Sequence, residues 1–388
     1  MLDLSFYKNK KILITGHTGF KGSWMCKVLD MAGACVLGYS LLPPTEPSLF
    51  NILGFDSTIV DSINEIDACK VGLQTVIGDI CDLDRLKNVF IFFKPEIVIH
   101  MAAQPLVRES YKNPVRTYAS NVMGTVNILE CVRSVDSVVS FINVTTDKVY
   151  LNREREEGYK EDEELNGYDP YSNSKSCSEL VTSSYKNSFF GGDNHVRDNG
   201  KRIAITTMRA GNVIGGGDFA VDRIIPDCIR AVINGEPIGI RNPYSTRPYQ
   251  HVLEPVVAYL MVAAKQYDDA SLASNYNVGP DDEGCFTTGN LVNLFCVKWN
   301  QSIGSREASW INASEDNAPH EANFLKLNCD KLKRTLEWKP MWNLDEAMGK
   351  IVEWTKVYLD DFGCVGKIHE CMEKQINSYL NIIPFENY

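Results

Sequence analysis

Three glycines constrain this chain more than any other feature. Gly16, Gly19 and Gly22 lie in the segment TGHTGFKG, directly after an apolar run, Lys11–Thr15 (KILIT), and at the start of a helical pattern running from Lys21 to Ala32. A buried strand that turns on glycine into a helix brings its backbone close to whatever occupies the turn, because no side chain intervenes. The free N–H groups of the helix's first turn then face that space, with the positive end of the helix dipole behind them. An anion suits such a place. Three glycines at this spacing, between strand and helix, suit the pyrophosphate of a dinucleotide. Phe20, inside the turn, joins the glycines as a cofactor contact.

The rest of the first half repeats the strand–helix rhythm. Ala34–Ser40, Thr75–Gly78, Glu96–His100, Val138–Val144 and Ile203–Met208 read as strands, with helices over Asp82–Phe93 and Pro114–Arg133. This alternation predicts an α/β fold, a doubly wound parallel sheet covered by helices on both faces. In such a sheet the strand C-termini open onto the ligand crevice. An acid commonly ends the second strand and holds the adenosine ribose. Here the strand ends in Tyr39-Ser40, with neither that acid nor an arginine for a 2′-phosphate, so Ser40 falls beside the ribose and leaves NAD and NADP both open. Asp79 and Ile80 stand where adenine contacts fall, although Asp79 serves equally well as a helix N-cap. Ala102 and Ala103, beyond the fourth strand, complete the predicted cofactor wall.

The catalytic signal lies in DPYSNSKSCSE. Tyr171 and Lys175 are four residues apart and share one helix face. A phenol is a poor base at neutral pH, but a nearby ammonium and an oxidised nicotinamide favour its phenolate. The fifth strand runs into Thr145-Thr146-Asp147-Lys148, which places a hydroxyl, an acid and an amine at the crevice edge. An ordinary strand-to-loop turn with solvated charges explains those residues equally well when they are taken alone.

After about residue 209 the alternation gives way to turns, with short helices at 224–234, 253–264, 289–300 and 344–358, and the tail beyond Phe362 carries no motif. The chain is therefore divided into residues 1–208, which hold the dinucleotide and the Tyr/Lys pair, and 209–388, mainly a smaller substrate lobe with some elements returning to the main sheet. The polar stretch 191–201 reads as a surface loop. The net charge of −11 argues against nucleic acid or an anionic membrane as partner. The twelve cysteines form neither a CxxC pair nor a zinc-spaced cluster, so buried reduced thiols and no metal are expected. The N-terminal MLDLSFYKNKK lacks an apolar signal core, and no apolar run, Val89–Phe93 included, is long enough to span a bilayer. A cytoplasmic protein is expected.

The motifs GHTGFKGSW, HMAAQPLVRESY, NVMGTVNILE, TTDKVY, DPYSNSK, RAGNVIGGGDFAVDRIIPD and RPYQHV, in this order, resemble the extended short-chain dehydrogenase/reductases, and among them the nucleotide-sugar 4,6-dehydratases. The resemblance runs from Lys10 to about Trp354. It implies a Rossmann-type sheet, NAD as cofactor and a nucleotide-sugar substrate. Thr146 and Tyr171 would hold the sugar O4, with Tyr171 taking its proton, and Lys175 would hold the nicotinamide ribose. Asp147 would protonate the departing C6 hydroxyl. Most relatives carry Glu as the C5 base where this chain has Lys148; lysine is typical of the branch that acts on CDP-glucose. Gln104 would touch the sugar, Asn121 would order water or backbone near Lys175, and Asn212, Arg223, Arg247 and His251 would line the nucleotide-diphosphate groove. Each Arg reads alone as a surface residue, and His251 equally as a core histidine. Homodimer formation through helices 114–133 and 171–187 follows by analogy of fold. The rival readings are a 4-epimerase, a dehydratase for another nucleotide sugar, and a non-catalytic dinucleotide-binding protein.

Overall fold

The computed structural model describes residues 2–191, 200, 202–281, 285–302, 307–314, 324–360 and 364–381. Most of the surface stretch 191–201 lies outside the described residues. The first half runs β1 (Lys11–Thr15), α1 (Phe20–Met31), β2 (Cys35–Ser40), α2 (Leu49–Ile52), β3 (Gly72–Ile77), α3 (Leu83–Phe93), β4 (Ile97–His100), α4 (Val107–Lys112), α5 (Pro114–Tyr118), α6 (Gly124–Ser134), β5 (Ser140–Val144), α7 (Pro170–Tyr185) and β6 (Ala204–Ala210). Then follow β7 (Asn212–Ile214), α8 (Ile224–Asn234), β8 (Ile238–Ile240), β9 (Thr246–His251), α9 (Leu253–Asp268), β10 (Asn275–Val278), β11 (Cys285–Thr287), α10 (Thr288–Ser302), β12 (Trp310–Asn312), α11 (Asp330–Leu336), α12 (Leu344–Asp360) and α13 (Val365–Leu380).

Seven parallel strands form the main sheet in the order β10-β6-β5-β4-β1-β2-β3. Its order turns at β1 and β4, and that switch point opens a crevice at the strand C-termini. Strand alternation divides the core. Ile12 and Ile14 point to the face covered by Trp24 and Val28 of α1 and Val256 and Leu260 of α9. Leu13 points to the other, against Phe90 of α3 and Ile128 and Val132 of α6. β10 comes from the second half of the chain and pairs with β6 at one edge. The remaining strands make a three-stranded sheet, β11-β9-β7, and the pair β12-β8. They belong to a third core around Ile225, Phe295, Trp299 and Ile351.

Several elements depart from the sequence expectations, the short helices α2 and α4 and the small sheets among them. The single helix expected over 114–133 is interrupted by one π-turn, Ala119–Met123. The extra residue turns Asn121 inward, where its side chain satisfies backbone of the neighbouring loop. Beyond residue 362, α13 packs Ile368, Met372 and Ile376 against the α1 and α9 side of the core. Among the described residues no helix is long and apolar enough to cross a membrane.

Candidate active site

The glycine turn is built as its composition requires. Gly16 adopts a left-handed backbone, φ 76°, and a Cβ on it would lie 2.7 Å from the Ala102 nitrogen. A Cβ on Gly22 would lie 2.5 Å from the Gly16 carbonyl oxygen, so the start of α1 lies directly on the turn. Gly19 caps α1 without a side chain, which leaves the helix's first N–H groups facing the crevice. The Thr15 hydroxyl accepts from the Met101 and Ala102 nitrogens at 3.1 and 3.2 Å and bonds His100 Nδ1 at 2.7 Å, which ties the ends of β1 and β4 together. His100 thus closes a strand, and burial holds its imidazole neutral, its pKa down to about 3.

Gly16, Gly19, Phe20, Gly22, Ser40, Asp79, Ile80, Ala102 and Ala103 all line one cleft of about 1420 Å³. That volume exceeds the several hundred cubic ångströms that one small ligand fills. It has room for a dinucleotide and a second nucleotide end to end, and the bare glycine cradle at one end fits NAD. Ser40 keeps its hydroxyl 2.9 Å from Nδ1 of His17, whose Nε2 meets Thr75 Oγ1 at 3.0 Å. Burial also holds the His17 imidazole neutral. The histidine inside the glycine motif therefore orients Ser40, a role that no local pattern announced. Asp79 does not cap α3. That position belongs to Asp82, which accepts from the Arg85 nitrogen at 3.0 Å, while Asp79 binds Arg116 at 3.2 Å at the cleft's edge.

The candidate catalytic groups Thr146, Lys148, Tyr171 and Lys175 line the same cleft. Asp169 caps α7, accepting from the Ser172 nitrogen at 3.0 Å, and Pro170 occupies the helix's first turn. Tyr171 and Lys175 consequently share the face turned to β5. Lys175 Nζ donates to the Val144 carbonyl, the last residue of β5, at 3.1 Å. Burial pushes its pKa down to about 8, against the opposing pull of Glu179. Burial also pushes the Tyr171 phenol up to about 12, against a hydrogen bond with Thr146. Thr146 Oγ1 donates to Asp147 Oδ1 at 2.8 Å. Lys148 Nζ lies between Asp147 Oδ1 at 3.0 Å and Asn212 Oδ1 at 3.2 Å. Thr146, Lys148, Tyr171, Lys175 and Asn212 all line the cleft. Asp147 is fully buried behind Thr146 and Lys148, and its Oδ2 has no hydrogen-bond partner among the described residues.

Arg223 and Arg247 line the same cleft, Arg223 held by Asp218 at 2.9 Å and Arg247 almost buried on β9. Lys21 also lines it. Burial, together with the charges of Arg223 and Lys175, brings this lysine's pKa down to about 7. It lies between two recognised glycines and was missed because a lysine in a helix's first turn ordinarily points to water.

Three predicted positions stand away from the cleft wall. Gln104 spends its side chain on its own loop, with Nε2 donating to the Leu106 carbonyl at 3.1 Å and Thr117 Oγ1 at 3.0 Å. Asn121 bonds the Gln104 carbonyl at 3.1 Å and Ser174 Oγ at 2.8 Å, bracing the loop against α7. His251 is the core histidine of the two readings. It is closed between Trp24 and Trp342, with Nδ1 accepting from the Leu253 nitrogen at 3.3 Å.

A parallel sheet switching direction over a glycine cradle, with a Tyr/Lys helix facing it, defines the extended short-chain dehydrogenase/reductases. Residues 13–351 match the family model described as GDP-mannose 4,6 dehydratase, and the chain belongs to that family of NAD-dependent nucleotide-sugar dehydratases. Within it, the chain is 44% identical to the CDP-glucose 4,6-dehydratase of Salmonella typhimurium, over 98% of this chain and 99% of that one. Among solved structures, the NAD complex of dTDP-glucose 4,6-dehydratase from Bacillus anthracis superposes with a TM-score of 0.67 at 19% identity, covering 89% of this chain and 96% of that one. The UDP-glucose 4-epimerase of Thermotoga maritima, with UDP-glucose, gives 0.70 at 20%, covering 90% and 99%. At these identities both show the shared fold.

Proposed function

We propose that this chain is a 4,6-dehydratase that converts CDP-glucose to CDP-4-dehydro-6-deoxyglucose and water. The observation that carries the reading is that Thr146, Lys148, Tyr171 and Lys175 line the same cleft as the glycine cradle. The near full-length identity to the Salmonella enzyme supports the choice of nucleotide.

NAD, which the glycine cradle and Lys175 would hold, would supply the hydride acceptor for C4 and the hydride donor for C6, so that the overall reaction is redox-neutral. The residues of the chain handle the protons. Tyr171, bonded to Thr146, takes the O4 proton, and the Lys175 ammonium beside it favours the phenolate. The resulting ketone at C4 acidifies C5–H. Elimination then needs a base at C5 and an acid at the C6 hydroxyl. The Asp147–Lys148 contact at 3.0 Å supports both roles. A proton passed from the ammonium to the carboxylate leaves an amine to take the C5 proton and a carboxylic acid to give one to the leaving hydroxyl. The partnerless Oδ2 of Asp147 is the oxygen available for that delivery once it turns between Thr146 and Lys148. Arg223 and Arg247 suit the diphosphate, to which planar guanidinium groups bond through paired N–H donors.

We further propose a homodimer through α5 to α7, where Val115, Met123 and Leu180 leave apolar surface in solvent. Cysteines buried as free thiols, Cys26, Cys131 and Cys228 among them, support a reducing cytoplasm as its setting. The test of the activity is to incubate the purified protein with CDP-, dTDP-, GDP- and UDP-glucose separately and follow the 4-keto product. CDP-glucose is expected to give the highest kcat/KM. A faster reaction with another nucleotide would overturn the substrate assignment, and no keto product from any would overturn the activity.

A further inference from the structure

One buried ion pair beside the site is not used by that chemistry. Glu179 lies one helical turn beyond Lys175 on α7, and both its oxygens are fully engaged. Oε1 accepts from Arg209 Nε at 3.0 Å and Thr145 Oγ1 at 2.5 Å, and Oε2 accepts from Arg209 Nη2 at 2.9 Å and Thr207 Oγ1 at 2.7 Å. Neither partner of the pair is more than 3% exposed. Arg209 turns its remaining nitrogen away, to the Tyr150 hydroxyl at 2.8 Å and the Glu161 carbonyl at 2.9 Å. The pair is thus a fixed dipole in low dielectric, and its acid is the member felt at Lys175. A buried ion pair contributes little net stability compared with apolar packing of the same volume, so its presence here calls for another reason.

We infer that the Glu179–Arg209 pair is a positioning device for the Tyr171/Lys175 couple: its carboxylate keeps Lys175 an ammonium inside an apolar wall and, through Thr145, fixes the strand end that carries Thr146. The inference rests on the dehydratase reading. The other groups around the couple do not supply this charge. Lys21 on α1 can only be neutral or cationic, and as a cation it repels Lys175. His100 at the end of β4 is neutral. Asp147 acts on Lys21 and Tyr171, and Arg223 faces Tyr171. Without Glu179, burial alone would drive Lys175 to the free amine within the working pH range, and the phenolate of Tyr171 would lose its counter-charge.

The experiment is the pH profile of kcat and kcat/KM for keto product formation with CDP-glucose, in the wild type and in Glu179→Gln, Glu179→Gln/Arg209→Met and Thr145→Val. The double variant removes both charges together and so avoids the unpaired buried guanidinium that threatens the fold of Glu179→Gln. In the double variant the alkaline limb is expected to move down by about one pH unit, because Lys175 loses the anion that favours its ammonium. Glu179→Gln, which leaves the Arg209 charge in place, moves that limb further down. Thr145→Val, which keeps both charges, lowers the maximum and leaves the limbs where they were. An alkaline limb unmoved in the double variant, or moved as far by Thr145→Val, would overturn the inference. Absence of keto product from the wild type would instead overturn the dehydratase reading.

Discussion

In the proposed reaction most of the chemistry depends on Tyr171. Its amide donates to Ser110 Oγ at 3.1 Å and its ring is at the limit of burial, so its position is set by α4 and α7 together. Burial pushes its phenol up to about 12, far from a working base; Lys175 and the positive nicotinamide must bring it down. Tyr171→Phe removes only the hydroxyl and keeps the ring's packing. Keto product formation is expected to fall by about 10²–10⁴-fold, the range typical of a lost general base. NAD affinity by equilibrium dialysis is expected to hold within a few-fold, because the glycine cradle is untouched. Turnover within a few-fold of wild type would remove Tyr171 as the base. That Tyr171, Lys175, Thr146 and Lys148 would line one cleft was legible because each sits at a fixed offset from a cap or a strand end. Glu179, Arg209 and His17 were not. Their partners are Thr145, Thr207, Ser40 and Thr75, brought together by strand pairing rather than by sequence spacing.

At the scale of elements, the tightest geometric constraint is where α1 leaves β1. A methyl group on Gly22 would come within 2.5 Å of both the Gly16 carbonyl oxygen and the His17 Cα, backbone atoms that have no rotamer to give. Gly22→Ala must therefore lift α1 from the turn. The overpacking is expected to cost about 1–3 kcal/mol of stability. It also withdraws the N–H groups that face the pyrophosphate, so the variant is expected to lose the rise in melting temperature that NAD gives the wild type. A variant that NAD stabilises as well as the wild type would contradict this account of the cradle. The first-half strands and helices were readable to within a few residues because continuous apolar runs and amphipathic helices alternate there. The small sheets were not. β7, β8, β11 and β12 have three residues each, too short for a period to declare itself, and exist because partners distant in sequence pair with them. The tail helix was readable in principle, since Ile368, Met372 and Ile376 recur every four residues, but periodicity without a motif gives no hint of what it covers.

For the whole molecule, what it covers is the join between the two halves of the chain. Glu254, at the start of α9, accepts from the Met341 and Trp342 nitrogens at 3.0 and 2.9 Å, and Tyr379 of α13 donates to it at 2.5 Å. One buried carboxyl thus gathers α9, the segment before α12, and the last helix. All three donors favour the carboxylate, but burial outweighs them and raises its pKa from 4.5 to about 7. The folded state therefore holds a proton on Glu254 that the unfolded chain releases above pH 4.5. That contribution to stability, at most roughly 3 kcal/mol, is complete below pH 4.5 and is lost as pH rises through 7. Glu254→Gln carries no such proton. Its baseline stability is expected to be lower, because an amide matches three donors less well. However, the gap between wild type and variant in denaturant-derived stability should shrink steadily from pH 5 to pH 7.5. A gap of constant size over that window would mean that the carboxyl stays ionised in the fold, held by its three donors against the loss of water. In that case the meeting of α9, the segment before α12 and α13 would rest on a buried anion rather than on a shared proton.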